Sequence, residues 1–378
     1  MKNIYLDNAA TTPILPEVID VISTTMMEFY GNPSSSHQIG RKAKSLVETA
    51  RKKIAKQFNA ASNEIVFTAG GSEADNLILR NAVVNLGVTT IISSKIEHHA
   101  VLHTIEQLQK EFDIKVFSVD LDEKGGVNYE HLEELLKQTD EKKIVSLMYI
   151  NNEIGNLLDL KKVSDLCISN EALFHTDSVQ GIGHFNIDIN EIPIDFFAAS
   201  AHKFHGPKGV GFAYIRKGFG VSPILHGGEQ ERGARAGTEN LHSILGMEKA
   251  LTMACENMVE ETSYIQNLKN YFIAELKNNF DEIEFNGWSE SEEKSSYIIL
   301  NVRLPKEYSM LLFSLDLKGI AVSGGSACQS GSNKGSHVLN TILSENEALK
   351  TSVRFSFSKF NTTEELDYVI SELKNLIK

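Results

Sequence analysis

Basic charge is what this chain of 378 residues most plainly lacks: 37 lysines and arginines stand against 50 aspartates and glutamates, a formal net charge of −13. Nucleic acid is thereby disfavoured as a primary ligand, because phosphate binding needs a positive footprint. An indirect approach to tRNA, through a basic partner protein, stays open. No apolar run reaches the ~18 residues that a membrane-crossing helix requires. The opening MKNIYLDNAATTP has no apolar segment of the secretory kind, so no export signal is expected. Cysteine is scarce too. Cys167, Cys255 and Cys328 have no metal-type spacing, and their odd number argues against a disulfide framework. A cytoplasmic protein without a resident metal is the expectation.

What is present is enough for a substantial core, with 42% hydrophobic residues. The length exceeds what one core usually serves, which predicts two domains. Short β-branched and aromatic runs alternate with helical patterns: EIVFT (64–68), TTIIS (89–93), KVFSV (115–119), KIVSLMY (143–149), LFHT (173–176), DFFAAS (195–200) and VGFAYI (210–215). Between 41 and 58, Ala43, Leu46, Val47, Ala50, Ile54 and Phe58 recur at a helical period. Such alternation implies an α/β fold with a mostly parallel sheet covered on both faces. After about residue 255 the pattern changes to a long polar helix (256–279), an acidic loop, a strand at 296–302, a helix and a strand at 351–357. The expected division is a large domain over 15–255 and a smaller α+β domain formed by 1–14 and 256–378.

Three segments carry chemistry. TAGGSEADNL (68–77) sets Gly70, Gly71 and Ser72 between a strand and a helix, a cup of backbone N–H groups suited to phosphate or an ordinary capped turn. Asp177 ends a strand, where open α/β sheets bind ligands, although on this segment alone a turn-forming aspartate is the favoured reading. Lys203 follows an apolar strand in SAHKFHGPKG (200–209), a placement that suits an amine nucleophile kept partly from water better than a surface charge. A phosphate cup, an aspartate and a strand-end lysine together are what a pyridoxal phosphate enzyme needs. One oddity is left: Cys328 sits in VSGGSACQSGSNKGS (322–336), among residues that can bury nothing.

Taken with YLDNAATTP (5–13), EHHAVL (97–102), NNEIG (151–155), HTDSVQ (175–180), HGGEQERGARAGTEN (226–240) and SVRFS (352–356), these segments make the chain resemble a NifS/IscS-type cysteine desulfurase of the class V aminotransferase family, pyridoxal phosphate fold type I. The resemblance implies a large domain with a seven-stranded, mostly parallel sheet. It implies that Lys203 carries the cofactor, that Asp177 pairs with its ring nitrogen, that His98 stacks on the ring and that Gln180 and Asn152 lie near its hydroxyl. Gly71, Ser72, Ser200 and His202 would hold the phosphate, with Thr238 contributed by the second subunit of a homodimer. Arg354 would clamp the substrate carboxylate, and Asn8 and Asn152 would line the substrate pocket.

The implied reaction is a sulfur transfer from L-cysteine. Lys203 moves the Cα proton, Cys328 takes the sulfur as a persulfide, and L-alanine leaves. The persulfide would pass to an acceptor, either an iron–sulfur scaffold or a tRNA-thiolation protein. Cys328 could also ligate an iron–sulfur cluster transiently with such a partner. The chain stops soon after its last helix, which favours the tRNA-thiolation partner over the scaffold. Aminotransferase and selenocysteine lyase activities are the enzymatic alternatives, and a non-catalytic sulfur-carrier docking module is the remaining one. Cys167 and Cys255 fall in helical patterns and are expected to be packed and inert.

Overall fold

The computed structural model describes residues 3–324 and 335–377; Cys328 lies outside them. After a short strand β1 (Ile4–Tyr5) come helices α1 (Pro16–Glu28) and α2 (Gln38–Lys56), then strictly alternating elements. These are β2 (Ile65–Thr68), α3 (Gly71–Val84), β3 (Thr90–Ser93), α4 (His99–Glu111), β4 (Lys115–Ser118), α5 (Tyr129–Lys137), β5 (Lys143–Ser146), α6 (Leu160–Ser169) and β6 (Leu173–Asp177). Strands β7 (Phe196–Ser200) and β8 (Gly211–Ile215) follow. Together they form a seven-stranded sheet in the order β2-β8-β7-β6-β5-β3-β4. β8 alone runs opposite to the other six strands.

Side-chain alternation explains why the strands read as continuous apolar runs. In β7, Phe197 and Ala199 enter the core beneath α1 and α2, while Phe196 and Ala198 enter the one beneath α3 and α4. The α2 face holds as expected: Ala43, Val47, Ala50, Ile54 and Phe58 are buried, with Leu46 packed at the margin. KIVSLMY is shorter as a strand than expected, ending at Ser146. Its continuation still donates to β6 through the Leu147 and Tyr149 N–H groups, at 3.2 and 2.9 Å.

The long helix is the main departure. It begins at Leu241 rather than 256 and runs 39 residues to Asn279 as α7. The expected division at 255/256 therefore falls inside a helix. Its first half packs into the α1/α2 core through Leu241, Ile244 and Met247, and its second half into another core through Ile265, Leu268 and Phe272. That second core surrounds an antiparallel sheet of β9 (Glu284–Phe285), β10 (Ile299–Arg303) and, after α8 (Leu311–Leu317), β11 (Ile320–Ala321), α9 (His337–Ile342) and α10 (Glu345–Ala348), strand β12 (Ser352–Ser356). Helix α11 (Thr363–Leu376) closes it. β11 pairs instead with β1, and Ile4 and Leu6 enter this core, so the N-terminus belongs with the C-terminal elements. Among the described residues no helix is long and apolar enough to cross a membrane.

Candidate active site

A cavity of about 250 Å³ opens at the carboxyl ends of β2, β6 and β7, the position at which open α/β sheets bind ligands. Its floor begins with the turn between β2 and α3. Gly70 has φ 156° and ψ −175°, a conformation essentially reserved for glycine. A Cβ on Gly71 would meet Val179 Cγ2 at 2.4 Å, so glycine is what lets the start of α3 pack this close to the residues after β6. Gly71 and Ser72, where α3 starts and the first N–H groups of a helix have no intrahelical partner, line the cavity with Ser200 and His202. Glu73, an acid at the same helix start, accepts from Ala69 N–H at 2.9 Å and pairs with Arg235 at 2.9 Å. Burial, followed by the charges of Lys203 and Lys208, lowers the His202 pKa to about 4, so it offers a neutral ring. This is a concave, donor-rich site for an anion.

Asp177, at the end of β6, accepts from Val179 N–H at 3.0 Å. Burial raises its pKa, while His98, that N–H and Lys203 pull it back. His98 caps α4, its Nδ1 accepting from Ala100 N–H at 3.1 Å, which leaves the proton of a neutral ring on Nε2. Burial lowers the His98 pKa, with Asp177 opposing. Lys203 follows β7 in a short 3-10 turn, and its Nζ donates to the carbonyls of Ala9 and Ala10 at 2.6 and 3.0 Å. Gln180 Nε2 donates to the same Ala9 carbonyl at 2.8 Å. Asp177, His98, Gln180 and Lys203 all line the cavity.

On the opposite lobe, Arg354 in β12 is 1% exposed. Its Nη1 donates to Asn152 O at 2.7 Å and its Nη2 to Asp7 Oδ1 at 2.8 Å, while Nε has no hydrogen-bond partner among the described residues. A guanidinium held at a cavity wall suits a carboxylate ligand. Asn152 lines the cavity, but Asn8 does not: its amide donates to Ser356 O at 2.8 Å, and Ala9 and Ala10 take its place at the wall. The N-terminal segment thus contributes backbone carbonyls where the sequence pointed to a side chain. Thr238 is exposed and lines no part of this cavity. The loop bearing it is pinned by Glu231, which grips Arg51 at 2.6 and 2.7 Å and the Phe67 N–H at 2.9 Å.

Segment 325–334, which carries Cys328, is bounded by residues tied to the cavity walls. Ser323 pairs with Arg354, and the Ser336 hydroxyl donates to Glu153, fully buried beside Asn152. Asp75, Glu153, His99 and His337 line the cavity as well, although sequence reasoning singled out none of them as site residues. Asp75 had a signal: it follows Ser72 by three residues on α3, hence on the same face. His99 and His337 come from α4 and α9, and only the fold brings their rings to 4.4 Å. Cys167 is buried and Cys255 half-buried, and burial raises both thiol pKa values, that of Cys255 to about 11.

An amine, a buried carboxylate, a donor-rich cup and a buried arginine around one cavity fit pyridoxal phosphate with an amino acid beside it. The chain matches the family described as aminotransferase class V over residues 4–369. A cysteine desulfurase IscS of Clostridium botulinum is 42% identical over 379 residues, covering 100% of this chain and 95% of that one. Its counterpart from Dictyoglomus turgidum is 38% identical with the same coverage. A solved NifS-like protein superposes with a TM-score of 0.91 at 34% identity, covering 100% of this chain and 99% of the other. A structure described as SspA in complex with cysteine does so at 0.82 and 28% identity, with 95% and 100% covered. With the geometry and these likenesses agreeing from end to end, the chain belongs to the class V aminotransferase family.

Proposed function

We propose that the chain is a pyridoxal phosphate-dependent cysteine desulfurase, a sulfurtransferase that converts L-cysteine to L-alanine and keeps the sulfur as a persulfide on Cys328. The carrying observation is that Lys203, Asp177 and Arg354, from three distant segments, line one cavity. Relatives described as cysteine desulfurases, 38–42% identical along the whole chain, support the same reading.

The α3 N-terminus, Ser72, Ser200 and His202 would hold the cofactor's phosphate, Asp177 its ring nitrogen, His98 its ring face and Gln180 its hydroxyl. Bound there, pyridoxal phosphate supplies an electron sink for the pair left when the substrate loses its Cα proton. Arg354 orients the substrate through its carboxylate, and Asn152 lies beside that guanidinium. Lys203 Nζ accepts the Cα proton and returns it; the carbonyls of Ala9 and Ala10 hold the amine in reach meanwhile. Cys328, as thiolate, bonds to the substrate sulfur while the carbon–sulfur bond breaks, and the carbon regains a proton.

The reading includes a homodimer, supported by exposed Met26, Met27 and Tyr30 near the end of α1 and by Thr238, which has no ligand role in its own subunit's cavity. It includes a sulfur acceptor, scaffold or tRNA-thiolation protein, cytoplasmic like the enzyme. Two lobes complete it, one of residues 15–255 and one of 1–14 with 256–378. The test is direct. Purified protein should absorb visible light through its bound cofactor, and Lys203→Ala should remove that band. Cys328→Ala should keep the band and lose alanine and sulfide production; unchanged turnover would refute the desulfurase reading in favour of another class V activity.

A further inference from the structure

An N-terminal strap brackets Lys203. Ala9 packs in the core of the smaller lobe and Leu15 in the α1/α2 core, so the chain between them crosses from one lobe to the other. At the first end Asp7 Oδ1 accepts from Arg354 Nη2 at 2.8 Å, and the Ala9 N–H donates to Ser356 Oγ at 2.9 Å. At the second end the bonds converge on the residues that flank Lys203. The Thr12 N–H and the Thr12 hydroxyl both donate to His202 O, at 2.9 and 3.0 Å. The same hydroxyl oxygen accepts from the His205 N–H at 2.7 Å. Leu15 N–H donates to His205 O at 3.2 Å, and His205 Nδ1 lies 2.8 Å from Pro13 O.

A carbonyl can only accept, so the His205 ring carries a proton on Nδ1. His205 also has φ 64°, the left-handed region that few non-glycine residues occupy. Its N–H, carbonyl and ring are each bonded to the strap, which keeps a costly backbone conformation in place. Thr12 and His205 are both buried, so a lost bond here is not made good by bulk water. The strap therefore reaches Lys203 in two ways. It fixes the backbone on either side of the lysine, and it supplies the carbonyls of Ala9 and Ala10, which accept from Lys203 Nζ at 2.6 and 3.0 Å. Only Thr11 separates Ala10 from Thr12, and planar peptide units pass a shift at Thr12 on to those carbonyls.

An amine that acts as a base must aim its lone pair at the proton it removes, and a single hydrogen bond leaves it free to swing. Two N–H groups on two fixed carbonyls define its direction. We propose that Thr12 is a positioning residue for Lys203: its hydroxyl, bonded to His202 O and His205 N–H, sets the Ala9 and Ala10 carbonyls where they orient the free amine for proton transfer. The inference deepens the function proposed above and rests on Lys203 being the group that moves the Cα proton.

Thr12→Val removes both hydroxyl bonds and keeps the backbone N–H, whereas Thr12→Ser retains the hydroxyl. The holoenzymes are compared by exchange of the Cα hydrogen of L-alanine in heavy water, followed by NMR. Alanine has no sulfur to give up, so the exchange reports only removal of that proton by the amine and return of a deuteron. Thr12→Val should keep the visible band, and its Kd for alanine, from titration of that band, should stay within roughly threefold of the parent. Its exchange rate at saturating alanine should fall roughly 10- to 100-fold. Thr12→Ser should exchange within roughly threefold of the parent. A folded, cofactor-loaded Thr12→Val that exchanges at the parental rate would overturn the proposal, as would a Thr12→Ser that loses as much, or a parent that catalyses no exchange. Should Thr12→Val fail to fold, Thr12→Ala, with no atom in the hydroxyl's place, is judged by the same outcomes. Failure of the cofactor reading is distinct: the visible band would then be missing from the parent itself.

Discussion

Replacing Arg354 by lysine tests how the substrate carboxylate is held. The guanidinium is already bonded to Asn152 O and Asp7 Oδ1, and the residue lines the cavity, so a carboxylate can add a forked pair through the remaining N–H of each Nη. A lysine ammonium at the end of a flexible stem loses one arm of that fork. Charge-assisted bonds contribute about 1.5–3 kcal/mol each, which is about 10- to 150-fold in Kd at 1.4 kcal/mol per decade. The assay titrates the cofactor's visible absorbance with L-cysteine and with cysteamine, which has the amine and thiol but no carboxylate. L-Cysteine should weaken by that factor and cysteamine should not change. Equal losses for both would mean that Arg354 acts only by bracing Asp7 and Asn152, and the carboxylate assignment would fail.

Gly71→Ala should weaken cofactor binding by tenfold or more, an order-of-magnitude expectation from the steric conflict with Val179; equilibrium dialysis with unchanged apoprotein melting would separate ligand exclusion from misfolding. Lys269 is 1% exposed, donates to Ser296 O at 2.7 Å, and has its pKa lowered by burial from 10.5 to about 7. Between those values the unfolded chain binds more protons, so this group makes stability rise with pH from about 7 to 10.5. Lys269→Met should flatten that rise and stabilise the protein at pH 7 by about 1–4 kcal/mol, measured by urea unfolding; an unchanged slope would show the amine to be solvated. With the Cys255 thiol raised to about 11 and Cys167 buried, iodoacetamide should label Cys328 first, and Cys328→Ala should remove the fast phase of labelling seen by mass spectrometry.

The sheet was legible because each central strand is apolar on both faces, which leaves a run rather than a faint alternation. Lys203, Asp177 and the glycine turn could be picked out because each stands at a strand end, the side on which the cavity opens. Of the N-terminal segment, Ala9 and Ala10 line the cavity and Asn8 does not, because the motif marks the segment and not the direction of one side chain. Glu153 and His337 were illegible for a different reason. Each gains meaning only when the element after segment 325–334 returns to the NNEIG turn, a contact between residues 183 positions apart. The start of α7 was missed because a glycine-rich loop precedes it, although Leu241, Ile244 and Met247 already carry the helical period.

That helix binds the molecule's mechanics together. At 1.5 Å per residue its 39 residues make a rod of about 58 Å. One end is seated in the core beneath the seven-stranded sheet and the other in the core that supports Arg354. Neither core can melt without fraying half of the shared rod, so local openings in the smaller one draw on the stability of the larger. A tilt of the rod within one core is also felt at its far end, some tens of ångströms away. The wall that carries Lys203 and the wall that carries Arg354 are thereby geared to a single shaft, and the distance between them is set by the stiffness of one helix.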